Sequence, residues 1–301
     1  MKHLICRVAA ATMVAATMSA PAMADELKFA IGVPANFKMV DAMRYFEETI
    51  PERTNGALTT RLFTGSSLLN FTETFPGVRD GIADMGYVVP VYHRAELKES
   101  SLLGDLGMVG SNIVVMAGAA SEYCLTDAEC QQEYLREGQV MLGFTSTAPF
   151  RLISKMPIAT LDDLEGKRVR SYAAFGRWVE KMNGVQVNLP AGDIYEGFSQ
   201  GTLDANVHPY EAFVTLSLND VAGYVTDINL GALFVNALFN TNLDLWQSWD
   251  EETRLAVMDT AAEGIGRAVA ATLAEDIAFA EKGLVDLEVE VIEPEPAMSI
   301  S

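Results

Sequence analysis

The feature that most constrains the fold is the alternation of short apolar segments with helix-like segments along the chain. Several helix-like segments end at a glycine, such as Gly81, Gly166 and Gly201, and glycine often follows the last helical turn. This alternation predicts an α/β fold, in which crossover helices connect the strands of parallel sheets. The predicted strands are 27–33, 58–63, 85–89, 140–145, 151–154, 167–172, 185–188, 203–207, 234–239 and 288–292, and the predicted shorter helices are 40–48, 72–80, 160–163, 175–182 and 194–200.

A long helix is predicted in the last third of the chain. Asp250 is a suitable N-cap, and apolar residues then recur at helical spacing from Ala256 to Phe279. Gly264 and Gly266 lie inside this segment, where each costs on the order of 1 kcal/mol relative to alanine. They therefore predict a bend or close packing. A helix of this length can run along two domains and brace both.

The first residues predict export. Lys2 and Arg7 precede and flank a small apolar run, and Ala22 and Ala24 supply the small side chains that a signal peptidase requires. The apolar run is shorter than the roughly 20 residues that a membrane span needs. Residues 1–24 are therefore predicted to be a signal peptide that is cleaved before Asp25, which leaves a soluble periplasmic protein.

Length and charge narrow the possible classes of protein. A chain of 301 residues suggests two domains at roughly 100–200 residues each, although one large domain is possible. The net charge of −20 at pH 7 argues against nucleic-acid or anionic-membrane partners, because both bind basic surfaces. An anionic ligand would have to bind against this overall negative field.

The cysteines agree with export. Cys6 lies within the predicted signal peptide, which leaves Cys124 and Cys130 as an even pair in an oxidising compartment. A disulfide between them is the favoured interpretation. Two free thiols are the alternative, and metal binding is weaker because no histidine lies near them in the sequence.

Motifs of catalysis and cofactor binding are missing from the sequence. It has no G-x-S-x-G, no G-x-x-x-x-G-K, no H-E-x-x-H, and no G-x-G-x-x-G after the first strand. After the signal peptide, His93 and His208 are the only histidines. We therefore predict no catalytic residue, no metal site and no cofactor.

Three arginines occupy unusual positions for an α/β protein. Arg151 begins an apolar strand, and Arg168 and Arg170 lie in one strand with Tyr172 at its end. Because side chains alternate across a strand, Arg168, Arg170 and Tyr172 are predicted to share one face. A buried arginine requires an anionic partner, and the planar guanidinium matches a carboxylate at two points. A solvated strand end is the alternative.

Four segments resemble one protein family in their order and spacing. They are TNG at 54–56, FPGVRDGIADM at 75–85, SKMPIATLDDLEGKRVR at 154–170, and YEGFSQGTLD at 195–204. In these segments the chain resembles the DctP-like solute-binding proteins of tripartite ATP-independent periplasmic (TRAP) transporters. The resemblance extends over nearly the whole exported chain. It departs from the family at Arg168, where lysine is usual, and at His208, where Asn or Glu is commoner.

The resemblance implies a two-domain periplasmic binding protein fold, in which a ligand binds in the cleft between the domains. It implies that Arg170 makes the main salt bridge to the ligand carboxylate, and that Arg151 is a second ligand-binding arginine. It places further residues at or near the cleft: Asn206, His208, Tyr172, Phe175, Trp178, Phe37 and Tyr87.

The expected division of the chain follows from the same pattern. Domain I is predicted to comprise residues 25–145 and about 230–255, and domain II residues 146–229 and about 280–293. The long helix spans 256–279, and a disordered tail spans 294–301.

The expected function is capture of a small organic acid, a carboxylate or a sulfonate, and its delivery to the small and large membrane subunits of a TRAP transporter. A monomer is expected. The alternatives are a periplasmic enzyme acting on a small carboxylic acid, with His208 as base, and a sensor module of a signalling receptor.

Overall fold

The computed structural model describes residues 25–298, apart from Val109 and Ser111. The predicted signal peptide and the last three residues lie outside this described part. The strands are β1 (Asp25–Ala30), β2 (Leu58–Phe63), β3 (Met85–Val88), β4 (Gln139–Val140), β5 (Phe144–Thr145), β6 (Arg151–Ser154), β7 (Arg168–Arg170), β8 (Val185–Val187), β9 (Ala205–His208), β10 (Tyr224–Thr226), β11 (Asn236–Asn242) and β12 (Glu290–Ile292). The helices are α1 (Met39–Arg53), α2 (Thr74–Arg79), α3 (Lys98–Gly104), α4 (Ile113–Thr126), α5 (Ala128–Arg136), α6 (Leu161–Leu164), α7 (Ala173–Lys181), α8 (Ile194–Ser199), α9 (Ala212–Thr215), α10 (Leu243–Ser248), α11 (Glu251–Ala278) and α12 (Leu284–Asp286).

The strands form two six-stranded sheets. The first has the order β2-β1-β3-β11-β4, with β5 also paired to β11, and the second has the order β12-β10-β6-β9-β7-β8. The chain passes from β5 in the first sheet to β6 in the second, and returns from β10 to β11. The predicted α/β fold is confirmed.

The sequence pattern predicted parallel sheets, whereas both sheets are mixed. In the first sheet β11 runs antiparallel to β3, β4 and β5, and in the second β6 runs antiparallel to β9 and β10. These antiparallel pairs occur where the chain enters a sheet from the other sheet, because such a strand is not delivered by a right-handed β-α-β crossover within that sheet. The remaining pairs, such as β1 with β2 and β7 with β8, are parallel.

The long helix α11 has 28 residues. Asp250 caps it as predicted, since its carboxylate accepts a hydrogen bond of 2.8 Å from the Thr253 amide. The helix packs along α1 on the first sheet, and the chain then continues through a π-helical turn and α12 to β12 in the second sheet. A Cβ at Gly264 would lie 2.9 Å from the ring of Phe239, whereas one at Gly266 would meet nothing within 4 Å. Close packing is therefore confirmed at Gly264.

Helices α3, α4 and α5 lie in a region for which the sequence predicted no helix. The side chains of Asn112 and Asp127 cap α4 and α5 through backbone amide groups, so the capping residues were visible in the sequence. Apolar residues of α4 such as Val114 and Val115 are exposed, which obscures an amphipathic pattern. The predicted disulfide between Cys124 and Cys130 is present where α4 passes into α5.

The prediction of a disordered tail is wrong for the part that the structure describes. Met298 is fully buried, and Glu295 accepts a hydrogen bond of 2.7 Å from the backbone amide of Leu161 at the start of α6. An apolar anchor and a carboxylate at a helix N-terminus hold the segment in place. Within the described residues, no helix is both long and apolar enough to cross a bilayer.

Candidate functional site

A cavity of about 60 Å³ lies between the two sheets. Both halves of the fold contribute to its wall: residues on or near β1, β3 and β11 come from one side, and residues on or near β7 and β9 from the other. The lining side chains are Val33, Pro34, Phe37, Met39, Phe71, Tyr87, Val89, Tyr92, Thr147, Phe150, Arg170, Tyr172, Ala191, His208, Glu211, Leu216, Leu233 and Asn236. A larger cavity of about 280 Å³ beside α5, β4 and α10 has no charged side chain in its lining, so it does not offer the chemistry predicted from the sequence.

Arg170 is the last residue of β7 and is fully buried. Its Nε donates to the carbonyl oxygen of Leu189 at 2.9 Å, and its Nη2 donates to the hydroxyl of Tyr92 at 3.2 Å. The guanidinium carbon lies 4.6 Å from the ring centre of Tyr172. Nη1 has no hydrogen-bond partner, and none of the ion pairs in the described part of the chain includes Arg170. A buried cation with a free N–H requires an anionic partner to offset the cost of its burial.

The second sheet places the predicted polar residues on one face. Arg170 pairs with Asn206 across β7 and β9, and Arg151 pairs with His208 across β6 and β9. Because directly paired residues on neighbouring strands point to the same side of a sheet, these four side chains project from one face. Asn206 is fully buried, and neither polar atom of its side chain has a partner, but it is not part of the cavity wall.

His208 is uncharged at neutral pH. Burial, reinforced by the positive charge of Arg170, lowers its pKa to about 3. Its Nδ1 is buried without a hydrogen-bond partner, and its ring lies 5.9 Å from that of Phe150. A general base works best with a pKa near the working pH. His208 therefore suits a hydrogen-bonding role better than the role of catalytic base.

Glu211 is a further member of the cavity wall, which the sequence did not single out. Burial raises its pKa to about 8, and the negative charges of Glu275 and Asp276 on α11 add to this shift. Burial also raises the pKa of Tyr87 and Tyr172. At neutral pH these groups are therefore mainly protonated and uncharged, and Arg170 is the only charged side chain in the described wall.

Two of the three arginines singled out in the sequence lie outside this wall. The Nε of Arg151 lies 3.1 Å from both Asp227 and the hydroxyl of Tyr210, and its guanidinium also stacks on the Tyr210 ring. Arg168 forms two side-chain hydrogen bonds with Asp204, at 2.9 and 2.8 Å. Both guanidinium groups are paired with carboxylates of the protein, whereas that of Arg170 is not.

Some of the predicted aromatic residues line the cavity and others do not. Phe37, Tyr87 and Tyr172 line the cavity, but Phe175 and Trp178 do not. Phe175 is fully buried on α7 with its ring 4.5 Å from that of Phe150. Phe175 therefore packs against Phe150, which itself lines the cavity.

Tyr92, Glu211 and Asn236 also line the site but were missed. A signal existed for Tyr92, because Pro90 marks the end of the apolar segment that forms β3, and ligands of α/β sheets bind at the carboxyl ends of strands. Asn236 is a buried amide at the start of β11, and its Oδ1 is unpaired. No comparable signal marked Glu211. Among the described residues, no group of three or more His, Cys, Asp or Glu side chains could hold a metal ion.

Two α/β units around a cavity with a buried cation define the class of two-domain solute-binding proteins. Comparison with known families agrees with this class. The chain belongs to the DctP family, bacterial extracellular solute-binding protein family 7, whose family model matches residues 29–299. The family predicted from the sequence is confirmed, and its members are binding proteins rather than enzymes.

Individual relatives are distant. A solute-binding protein of Albidiferax ferrireducens is 24% identical over 191 residues, which span 63% of this chain and 56% of that protein. The crystal structure of a TRAP periplasmic solute-binding protein from Sulfitobacter sp. NAS-14.1 with bound β-D-galacturonate has a TM-score of 0.78 at 18% identity and covers 91% of this chain and 90% of its own. The Bordetella pertussis receptor DctP7, which binds pyroglutamic acid, has a TM-score of 0.73 at 21% identity, covering 91% and 89%. These similarities confirm the two-domain fold.

Proposed function

We propose that this protein is the periplasmic receptor of a TRAP transporter and captures a small organic acid through a salt bridge between its carboxylate and Arg170. The observation that carries the proposal is the full burial of Arg170 without a carboxylate partner among the described residues. The two neighbouring arginines, Arg151 and Arg168, each have such a partner. The small acids bound by the Sulfitobacter and Bordetella proteins support an acid as the ligand.

Pairing with an anion would offset the cost of burying the guanidinium. Taking an ion out of water costs several kcal/mol, which only good geometry and additional hydrogen bonds recover. A carboxylate at the free Nη1 would supply charge-assisted hydrogen bonds worth roughly 1.5–3 kcal/mol each. Binding energy of this kind is available only while the cavity excludes water.

The contact between Arg170 and Tyr92 couples the ligand to domain closure. Tyr92 follows β3 of the first sheet, and Arg170 ends β7 of the second, so their hydrogen bond joins the two halves of the protein. A ligand shifts the equilibrium between open and closed forms only through its differential affinity for them. An anion held by Arg170 under Tyr92 would bind the closed form more tightly than the open one.

The remaining predicted residues would have different roles, from direct ligand contact to support of the wall. Tyr172 would hold the guanidinium plane, and Phe37, Tyr87 and His208 would contact the body of the ligand. Asn206 lies beside Arg170 and would orient it, and Phe175 and Trp178 would support the wall. Arg151 would act on the ligand only after leaving Asp227 and Tyr210.

We also propose that the chain is divided into two domains and that its partners are membrane subunits. Domain I would comprise residues 25–145 and about 230–255, and domain II residues 146–229 and about 280–293, with α11 between them. The exported protein would release its ligand to the small and large membrane subunits.

A thermal-shift screen of the protein without residues 1–24 tests the binding function. A ligand that binds only the folded state raises the melting temperature. We expect at least one small organic acid to do so and to be recovered unchanged after incubation. Chemical conversion of the acid would instead support an enzyme, and a receptor that binds acids normally without Arg170 would contradict the proposed salt bridge.

A further inference from the structure

Glu133 is a carboxylate of α5 that is buried without a cation. It is 2% exposed, and none of the ion pairs in the described part of the chain includes it. Its Oε2 accepts from the Glu99 amide at 2.8 Å, and its Oε1 accepts from the Ser100 amide at 2.9 Å and from the Ser100 hydroxyl. These amides belong to the first turn of α3, where no intrahelical acceptor is available. Glu133 therefore ties the start of α3 to α5 through charge-assisted hydrogen bonds.

The disulfide holds α5, which carries this carboxylate. Cys130 lies three residues before Glu133 and is bonded to Cys124 near the end of α4. The hydroxyl of Ser100 lies 3.7 Å from the Sγ of Cys130 and 3.0 Å from the hydroxyl of Tyr134. These side chains are all buried. A buried polar network in which each member has a partner makes the local structure rigid, so α3 has little freedom to move relative to α5.

Helix α3 lies directly against the turn Pro90–Tyr92. The buried hydroxyl of Ser101 donates to the carbonyl oxygen of Pro90 at 2.9 Å. A Cβ at Gly104 would lie 2.8 Å from the Cγ1 of Val91. Helix α3 is therefore too close to move toward the turn, and a movement away from it would break the hydrogen bond of Ser101. The position of the turn thus depends on that of α3.

Tyr92 is the last residue of this turn, and its hydroxyl accepts from the Nη2 of Arg170 at 3.2 Å. This distance is at the long end of the usual range for such hydrogen bonds, roughly 2.7–3.2 Å. A displacement of the Tyr92 hydroxyl away from Arg170 by a few tenths of an ångström would therefore weaken the bond that joins the two halves of the protein.

We propose that Glu133 is a positioning residue for ligand binding, which holds the Tyr92 hydroxyl within reach of Arg170 through α3 and the turn Pro90–Tyr92. Glu133 itself does not line the cavity. The inference rests on the proposed function, because it takes the contact between Tyr92 and Arg170 as part of closure over an acid. Loss of this positioning destabilises the closed form relative to the open one, so a bound acid leaves faster and its entry changes little.

Glu133→Gln tests the role at constant side-chain size, because it turns an amide N–H toward the N–H groups of α3. The probes are pyroglutamate, D-galacturonate and succinate, of which the acid that the native protein binds most tightly is used. Calorimetric titration should show at least about fivefold weaker binding, and stopped-flow measurements should place this loss in the dissociation rate. Ser101→Ala removes one hydroxyl group from the same path and should weaken binding about threefold.

A double-mutant cycle with Tyr92→Phe separates positioning from general destabilisation. Once the Tyr92 hydroxyl is absent, adding Glu133→Gln should weaken binding by no more than about 1.5-fold. Gly264→Ala is the control, because it disturbs packing in the first-sheet half without touching this path; it should lower the melting temperature and leave affinity unchanged. Native affinity in folded Glu133→Gln and Ser101→Ala proteins, or an undiminished loss in the Tyr92→Phe background, would overturn the proposal.

Hydrogen exchange provides a readout that needs no acid. Glu133→Gln should accelerate amide exchange in residues 90–104 at least about tenfold relative to the amides of β1, whereas Gly264→Ala should not change this ratio. An unchanged ratio in the Glu133→Gln protein would refute the positioning role and leave the receptor function intact. If the native protein bound none of the three acids, the receptor function would lose its support, and the exchange ratio would still decide whether Glu133 positions the turn.

Discussion

Replacing Arg170 by methionine removes the guanidinium and retains an unbranched side chain of similar reach. In the native protein this group has a free Nη1 and a hydrogen bond from Nη2 to Tyr92. A ligand carboxylate would therefore lose two charge-assisted hydrogen bonds and its only buried counter-ion. The change is expected to act on ligand affinity far more than on folding, because the fold already carries the cost of burying this charge.

The expected loss follows from these contacts. Two charge-assisted hydrogen bonds at roughly 1.5–3 kcal/mol each agree with the roughly 3–5 kcal/mol lost when one partner of a buried ion pair is removed. At 1.4 kcal/mol for each factor of ten, affinity should fall by about 100-fold to several thousand-fold. Arg170→Lys should recover only part of this loss, since a lysine offers a point charge instead of a planar fork.

The matched control lies two residues away in the same strand. Arg168→Met removes a guanidinium that is paired with Asp204 outside the cavity, so it should lower the melting temperature and leave ligand affinity within about threefold of the native value. Calorimetric titration with the best acid from the screen and thermal denaturation of both variants measure the two effects. Near-native affinity in a folded Arg170→Met protein, or equal losses of affinity in both variants, would refute the assignment of the anion site to Arg170.

Three further predictions concern protonation, packing and the disulfide. Ligand affinity should fall as the pH rises through about 8, because the pKa of Glu211 is raised to about 8 and its ionisation adds a negative charge to the wall. Glu211→Gln should remove this dependence of affinity on pH. Titrations between pH 6 and 9.5 in which the affinity of the native protein does not change would contradict this prediction. Gly264→Ala should destabilise the protein by about 1–3 kcal/mol by forcing a methyl group against the ring 2.9 Å away, whereas Gly266→Ala on the open side of the same helix should stabilise it by up to about 1 kcal/mol; urea denaturation that ranks the two in the opposite order would refute this. Replacing Cys124 and Cys130 by alanine should cost about 2 kcal/mol, because the bridge closes a short loop with a sequence separation of 6, and denaturation of the native protein with and without reductant should show a similar difference.

Local patterns in the sequence were sufficient for most of the strands, for the long helix and for the position of Arg170 in a strand, but not for α3, α4, α5 or β10. Two-residue alternation placed Arg170 inside a strand, and the spacing of LEGKRVR at 164–170 identified it within the family pattern. The cap at Asp250 and the close contact at Gly264 are likewise local properties of one helix. Such features depend on residues a few positions apart, for which propensity and capping are reliable guides.

The rest of the site depends on how the two halves of the protein meet. Tyr92 and Arg170 are separated by 78 positions, and no periodicity within either segment indicates that they touch. Glu211 lies in a loop after β9, and its shifted pKa depends on Glu275 and Asp276 in a distant helix. Arg151 is paired with a carboxylate of the protein and Arg170 is not, because Asp227 lies beside Arg151 alone. Contacts of this kind are set by tertiary packing.

The proposed anion site is compatible with the net charge of −20 that the chain carries. Exposed charges interact weakly beyond about 8 Å at physiological ionic strength, whereas a buried pair is screened far less. Around Arg170 the fold removes the local negative charge as well: Glu211 keeps its proton and the nearby tyrosines remain neutral. The same burial keeps His208 from competing as a second cation. In the proposed receptor, the acidic surface would therefore affect how quickly an anion arrives, and the buried Arg170 would hold the anion once it is bound.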